Sequence, residues 1–441
     1  MDIEAILQKT LKPALGCTEP AAITFAVAAA IRAIEGWTPQ NPGIMMTAFS
    51  PEDVESIRVS MNRGVFKNAY SIYIPNTGGD KGILVAAALG PWCNPDLGLS
   101  IFQNLQESDV LRGRRLVAQG KVHIEIARAQ DTDLFIAARA RIRTNAGIRE
   151  GSSVIRDEHT NLVHLACDNR AIYQRGASQT QRNSAEDIEE FARLRFKDLA
   201  LMADTIPESV YPLLNKTIEM NRRAAETGLE RPLGLGVGYF GAQALGDRKE
   251  PGYLSGGAAA GSDARMSGYP IEVMSSAGSG NQGMIATIPV YAFCRDNGVE
   301  EVRQLRAIAL SHLVTLYVTL QLGYLSSLCG VAVKAGIGAA CGLTYAMGGG
   351  AAEIQRAVKI MAAALSGMIC DGAKPGCALK VSSAADMATR AASLAMKNID
   401  VSDENGIVAD TAENTIRNLK RLNESMQSAE EKIIQIMQEK L

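Results

Sequence analysis

From Ala185 to the C-terminus, well over half of the chain, almost no stretch reads as strand. Apolar residues recur there at helical spacing, and the residues among them are unusually small. The run "AGIGAACGLTYAMGGGAA" (335–352) passes directly into an Ala-dense stretch that ends near residue 398. A chain of this kind has few ways to bury a core. With 41 Gly and only 5% aromatic residues, it must bring helix backbones close together rather than fill gaps with large rings. The spacing predicts helices over 186–202, 208–226, 256–266, 281–296, 299–322, 325–346, 351–370, 378–397 and 409–439. The last is strongly charged on one side and reads as a solvated closing helix.

Between Val54 and Arg175 the pattern changes. "SIRVSMN", "AYSIYIP", "KVHIEIA", "LFIAARARI", "SSVIRDE" and "NLVHLAC" are rich in β-branched residues and partly alternate, as half-buried strands do. Helix-like pieces at 81–89 and 107–119 lie among them. We read 41–184 as a mixed α/β domain whose end, the Gln/Arg/Ser-rich stretch 174–184, is a linker. The first residues form a helix, a break at "KPALGCTEP" and a second, Ala-rich helix from Ala21. Pro13 and Pro20 bracket the break, and Gly16 gives it conformational freedom. Residues 1–40 are expected to pack with the all-helical domain, 185–441. The expected class is therefore α+β, a mixed α/β domain beside a larger all-helical domain that includes the N-terminal helices.

The net charge is −2, with no basic stripe and no acidic tail, which argues against a nucleic-acid partner. A small-molecule substrate fits this balance, and a homodimer is compatible with it. The acidic start "MDIEAILQ" lacks the basic and apolar regions of a secretory signal. The run 335–352 contains a Gly338-x-x-x-Gly342 pair, a spacing found where membrane helices touch. Its weak apolarity and Gly-Gly-Gly break favour a buried helix over a membrane span. The expected location is the cytoplasm, where the eight cysteines would form no disulfide framework.

Most free cysteines are small buried hydrophobes, and that reading suits Cys93, Cys167, Cys294 and Cys341. Cys17, Cys370 and Cys377 sit instead among turn-formers and polar residues. "GMICDGAKPGC" places Cys370 and Cys377 on either lip of one turn, and Cys329 lies upstream in the same helical half. Thiolates suit zinc, copper(I) or iron–sulfur clusters. Paired C-x-x-C knuckles, the usual structural zinc pattern, are absent, and the four histidines show no metal-binding spacing. Three thiolates without an obvious fourth suit a [4Fe–4S] cluster with one iron left open as a Lewis acid. By spacing alone, three buried thiols are the more natural reading. Cys17 stands near a helix start, where N–H groups favour anions and can lower a thiol pKa. "PNTGGDKG" (75–82) and "SSAGSGNQG" (275–283) are Gly-rich loops opening helices, places suited to a carboxylate. Neither has the Lys-Ser/Thr of a nucleotide-binding P-loop.

"KPALGCTEP", "SDARM", "SSAGSGNQG", "LSSLCG" and "GMICDGAKPGCALKVS" together resemble the L-cysteine desulfidase family, related to the α-chain of iron–sulfur L-serine dehydratases. The motifs run in that family's order from residue 12 to residue 382. The resemblance implies a [4Fe–4S] enzyme, independent of pyridoxal phosphate, that eliminates sulfide from L-cysteine to leave pyruvate and ammonia. It places the cluster ligands at Cys329, Cys370 and Cys377 and an active-site cysteine at Cys17. With that chemistry, Cys17 is the expected base and Glu19 its orienting group or the seat of the substrate ammonium. Asn76, Ser276, Asn281 and Gln282 are candidates for the substrate carboxylate. Lys380 reads as a helix-surface lysine, with a cation on the ligand side as the alternative. Cys341 as a fourth ligand would close the open iron, but its "GAACG" setting argues for packing. An L-serine dehydratase and a non-catalytic amino-acid- or metal-binding protein of the same fold are the competing readings.

Overall fold

The computed structural model describes residues 2–43, 49–127, 134–175, 187–245 and 251–440. Most of the linker expected at 174–184 lies outside them. The class is α+β. A six-stranded sheet is built from β2 (Val54–Met61), β3 (Val122–Ile126), β4 (Phe135–Thr144), β5 (Gly147–Arg156), β6 (Leu162–Cys167) and β7 (Arg170–Gln174), in the order β3-β2-β4-β5-β6-β7. β2 and β3 are parallel, joined by a long crossover containing helices Arg63–Ala69, Ile83–Leu89 and Glu107–Ala118, and the other neighbours are antiparallel.

The N-terminal segment divides between the two halves. Helix Ile3–Thr10 puts Ile6 and Leu7 into the core of the helical half, as expected. Helix Thr18–Ile34 does not follow it. This helix lies on β4, β5 and β6 and supplies much of the sheet-side core. Its sequence, "TEPAAITFAVAAAIRAI", explains the choice. Alanine on most faces lets the backbone settle almost onto the strands, and Ser153 Oγ donates to Ala26 O at 2.7 Å. Gly151 makes that approach possible, since a Cβ there would lie 1.7 Å from Ala30 O. Gly151→Ala should therefore cost about 3 kcal/mol or more, read as a lower urea midpoint. A variant of unchanged stability would show that the helix does not sit this close.

The helical half buries Glu301–Leu322, among the described residues the one helix long and apolar enough to cross a membrane, with 83% of its apolar window inside the fold. Gly338 and Gly342 of helix Gly336–Ala346 face it, where a Cβ would lie 2.4 Å from Ser311 O and 2.7 Å from Ala307 O. The Gly-x-x-x-Gly pair thus serves helix packing inside a globular core.

Several expected boundaries move. One stretch of the helical half is strand: β8 (Glu272–Ser276) pairs antiparallel with β1 (Leu11–Leu15), Leu11 opposite Ser276 and Leu15 opposite Glu272. Residues 325–329 are not helical; a π-helical turn at Val331–Ala335 precedes helix Gly336–Ala346. The helix expected over 351–370 stops at Leu365, leaving 366–376 to form a loop. The closing helix breaks at Met426 into Ala412–Ser425 and Gln427–Gln438, and the second piece turns back to the sheet side, where Ile434 is buried.

Candidate active site

Between the two cores lies a cavity of about 100 Å³ that opens to solvent. Cys17, Glu19, Asn68 and His159 line it from the sheet side and its N-terminal helix. Arg265, Ser279, Asn281, Gln282, Cys329, Cys370 and Cys377 line it from the helical side. Four cysteines from three separate stretches of the chain thus line one cavity. Cys17 and Cys377 also meet in a small apolar cluster with Ile72 and Met266.

Each cysteine is placed by local geometry. Residues 326–330 and 367–371 run side by side through an isolated bridge at Leu328 and Ile369, with Cys329 N donating to Met368 O and Cys370 N to Ser327 O. This pairing ends the two expected helices early and sets Cys329 beside Cys370. Cys377 opens helix Cys377–Met396 after a turn containing Gly372, whose φ of +91° favours glycine. Lys380, half-buried rather than on the surface, donates to Ile369 O and pairs with Asp371, pinning the same turn. Cys17 caps helix Thr18–Ile34 after Gly16 (φ +73°), where a Cβ would strike the Pro75 ring at 2.5 Å.

The Cys17 thiol makes no cap bond to the helix. It donates to Glu19 Oε2 at 3.0 Å, and that oxygen also accepts from Thr18 Oγ1, while Asn68 Nδ2 donates to Oε1 at 2.9 Å. His159 Nε2 stands 3.7 Å from Oε1, an ion-pair distance beyond hydrogen-bond range. Burial acts to raise the Glu19 pKa, but these partners overcome it and hold the carboxyl at about 2. Cys17 moves the other way. Burial and the adjacent carboxylate push its thiol well above the ordinary value, against a weaker pull from Arg265. The expected lowering at a helix start is therefore reversed, because the thiol is buried and the nearest charge is negative. Burial likewise raises Cys329, to about 12 with Cys370 adding to the shift, and Cys377.

These shifts carry a stability sign. A carboxyl held below its unfolded pKa stabilises the fold above that pKa, and the contribution is lost as pH falls through the folded value. Glu19→Gln should therefore differ most from the parent near pH 6, with the gap in urea midpoint closing as pH falls from about 4.5 toward 2. A gap independent of pH would contradict this.

Of the candidates for the substrate carboxylate, Asn281 and Gln282 line the cavity and two others do not. Ser276 turns its Oγ to His312 Nδ1 at 2.9 Å, behind the cavity wall. Asn76 donates to Phe102 O at 2.9 Å, and its loop is closed on itself by Thr77, Asp80 and Arg114. That loop acts at one remove, through Pro75 against Gly16. Cys341 is fully buried in its helix and is not part of the cavity wall.

Three lining residues carried no assigned role in the sequence. Arg265, 2% exposed, donates to Gly16 O at 2.6 Å and Asn281 Oδ1 at 2.8 Å, so one side chain spans the cysteine and the Gly-rich loop. It stands in the quoted "SDARM", and an Arg inside a motif was the available signal. Nothing local marks His159 or Asn68. Arg265 Nε, Gln282 Oε1 and His159 Nε2 are buried without a hydrogen-bond partner, an expensive state that a bound polar group would relieve.

Among the described residues no three His, Cys, Asp or Glu side chains are gathered closely enough for a single metal ion. A cluster asks for a wider ring with one thiolate per iron. Three cysteines on separate, anchored segments around one cavity fit that requirement, and the unpartnered polar atoms beside them fit a ligand in the remaining space.

The family model for the serine dehydratase alpha chain matches residues 98–435. This chain belongs to that family. Its relatives match over nearly their full length. A UPF0597 protein of Caldanaerobacter subterraneus subsp. tengcongensis is 36% identical over 440 residues, 99% of this chain and 97% of that protein. UPF0597 proteins of Geobacter sulfurreducens (34% over 427 residues, 95% and 93%) and Bacteroides fragilis (33% over 445, 99% and 98%) are similar. In this member of the serine dehydratase alpha-chain family, the match takes in His159, Arg265 and all three candidate ligand cysteines, while Cys17 and Glu19 lie ahead of residue 98.

Proposed function

We propose that the protein is a β-eliminating lyase acting on a small amino acid, dependent on a [4Fe–4S] cluster held by Cys329, Cys370 and Cys377, with L-cysteine as substrate. The observation that carries this is the convergence of Cys17 with those three cysteines on one cavity between the two cores. The cluster would supply an open iron as Lewis acid for the leaving sulfur.

The chain's own residues divide the remaining work. Arg265, with Asn281 and Ser279 beside it, presents a fixed cation and polar groups for the substrate carboxylate. Gln282 Oε1, a buried acceptor without a partner, suits the substrate ammonium. The Cα proton goes to His159, whose imidazolium Glu19 stabilises at close range. Cys17, protonated at neutral pH, serves as a proton donor on the leaving-group side rather than as the base. As the Cα proton departs, the Cα=Cβ bond forms and sulfide leaves Cβ. The aminoacrylate then hydrolyses to pyruvate and ammonia without further help.

Elimination of water from L-serine is the second reading, favoured by the family match. The small apolar cluster at Cys17, Ile72 and Met266 favours a thiol over a hydroxyl, because sulfur gives up less hydration on burial. Anaerobically reconstituted protein should release sulfide from L-cysteine with kcat/KM at least tenfold above its rate of pyruvate formation from L-serine. The reverse ratio would make it a serine dehydratase. No turnover of either by iron-loaded protein would overturn the enzymatic reading.

A further inference from the structure

We propose that Lys67 is a positioning residue for the candidate cluster: a buried ammonium that the C-terminal helix holds against the Cys370 turn, where it balances a ligand thiolate. The inference rests on the cluster reading of the site.

Lys67 lies on the short helix Arg63–Ala69 and is 1% exposed. A buried ammonium is costly unless its charge is met. Its partner comes from the far end of the chain: Nζ donates to Glu430 Oε1 at 2.6 Å. The same C-terminal helix, Gln427–Gln438, is fastened to this segment twice more, through Arg63–Glu431 at 2.6 Å and Tyr70 Oη donating to Met437 O at 2.8 Å. The segment in turn abuts the ligand loop. A Cβ on Gly372 would lie 2.4 Å from Lys67 O, and the next residue, Asn68, accepts from Cys370 Sγ at 3.8 Å.

The charges around the turn do not cancel. Lys67, Lys374 and Lys380 stand against Glu430 and Asp371, and both Lys374 and Lys380 share the single carboxylate of Asp371. One positive charge is in excess while Cys370 is a neutral thiol. A [4Fe–4S]2+ core held by three thiolates would carry one net negative charge, which offsets that excess. The electrostatics run the same way. Burial pulls the Lys67 pKa down, yet Cys370, Glu430 and Asp371 together lift it above its ordinary value, Cys370 being the largest of the three. An ion pair serving the fold alone would need no such surplus.

The test uses full-length protein reconstituted anaerobically with iron and sulfide. Two quantities are read, the midpoint reduction potential of the cluster and the rate of iron loss to a chelator. Lys67→Met removes a nearby positive charge, so its potential should fall and its iron loss should quicken about tenfold or more. Lys67→Arg should restore both. Glu430→Gln removes the balancing negative charge and keeps the ammonium, so its potential should rise. Opposite signs are the signature, since a purely structural pair would shift both variants alike or neither. Shifts of one sign, or none, overturn the inference. Should Lys67→Met fail to fold, the absence of a positive shift in Glu430→Gln overturns it as well. Parent protein that takes up no iron would instead overturn the cluster reading itself.

Discussion

Serine in place of any one of Cys329, Cys370 or Cys377 will leave reconstituted protein with little or no bound iron and turnover reduced about a thousandfold. That factor corresponds to roughly 4 kcal/mol of lost transition-state stabilisation, the scale of a Lewis-acid contribution. Each of the three stands on a separately anchored segment: Cys329 in the bridge with 367–371, Cys370 across it, and Cys377 at the start of helix Cys377–Met396. None can be replaced by a neighbour sliding in. Cys341→Ala is the matched control. It removes a thiol from the interior of a helix that does not reach the cavity, so iron content should be unchanged, with only a modest packing loss. The reading is checked by iron and sulfide analysis beside the activity assay. Full iron content in a Ser variant at any of the three positions would remove that cysteine from the ligand set.

Cys17→Ala should behave differently, keeping its iron and losing turnover by about 10²–10⁴, the range of a single acid–base group. The structure adds a pH signature. Because burial and Glu19 raise the thiol above its ordinary value, Cys17 holds its proton throughout the neutral range. Activity of the parent should fall as pH rises through the Cys17 titration and should show no gain on Cys17 ionisation. A thiolate base would give the opposite limb, rising with pH. Cys17→Ala with unchanged turnover would remove Cys17 from the chemistry, and loss of iron in this variant would make it a ligand.

Strands β2 to β6 were legible because half-buried strands alternate, as β4 does from Ile136 to Arg143 and β5 from Gly151 to Arg156. "AYSIYIP" reads as strand too but forms only an isolated bridge at Tyr73, and β7 carried no such signal. The helices of the C-terminal half were legible from their apolar spacing. What escaped depended on contacts between distant segments. "EVMSS" is too short to announce a strand, and it becomes one because Leu11–Leu15 pairs with it. Helix Thr18–Ile34 is nearly uniform in alanine, so its sequence does not say which partner it will choose; Gly151, more than a hundred residues on, decides that. The same division holds in the site. Cys370 and Cys377 stood out because an Asp-Gly-Lys-Pro turn between helices is a local oddity. Arg265, His159 and Asn68 matter only for what the folded chain sets beside them. The sign of the Cys17 shift was misread for that reason: a helix start is local, whereas full burial beside an ionised Glu19 is a property of the assembled cavity.

The β1–β8 pairing bears on how such a protein matures. Lys12 and Ser275 are register partners, so the strand leading to Cys17 finds its place only after some 260 further residues have left the ribosome. Lys67 waits longer, for Glu430. Both joins close loops that span more than half of the chain, and such long-range closures are slow folding events. Iron delivered during synthesis would meet Cys17 unanchored and the 367–377 turn not yet made. If the proposed cluster is present, its loading belongs to the released, full-length polypeptide, and a chain truncated before Glu430 should take up little or no iron on reconstitution.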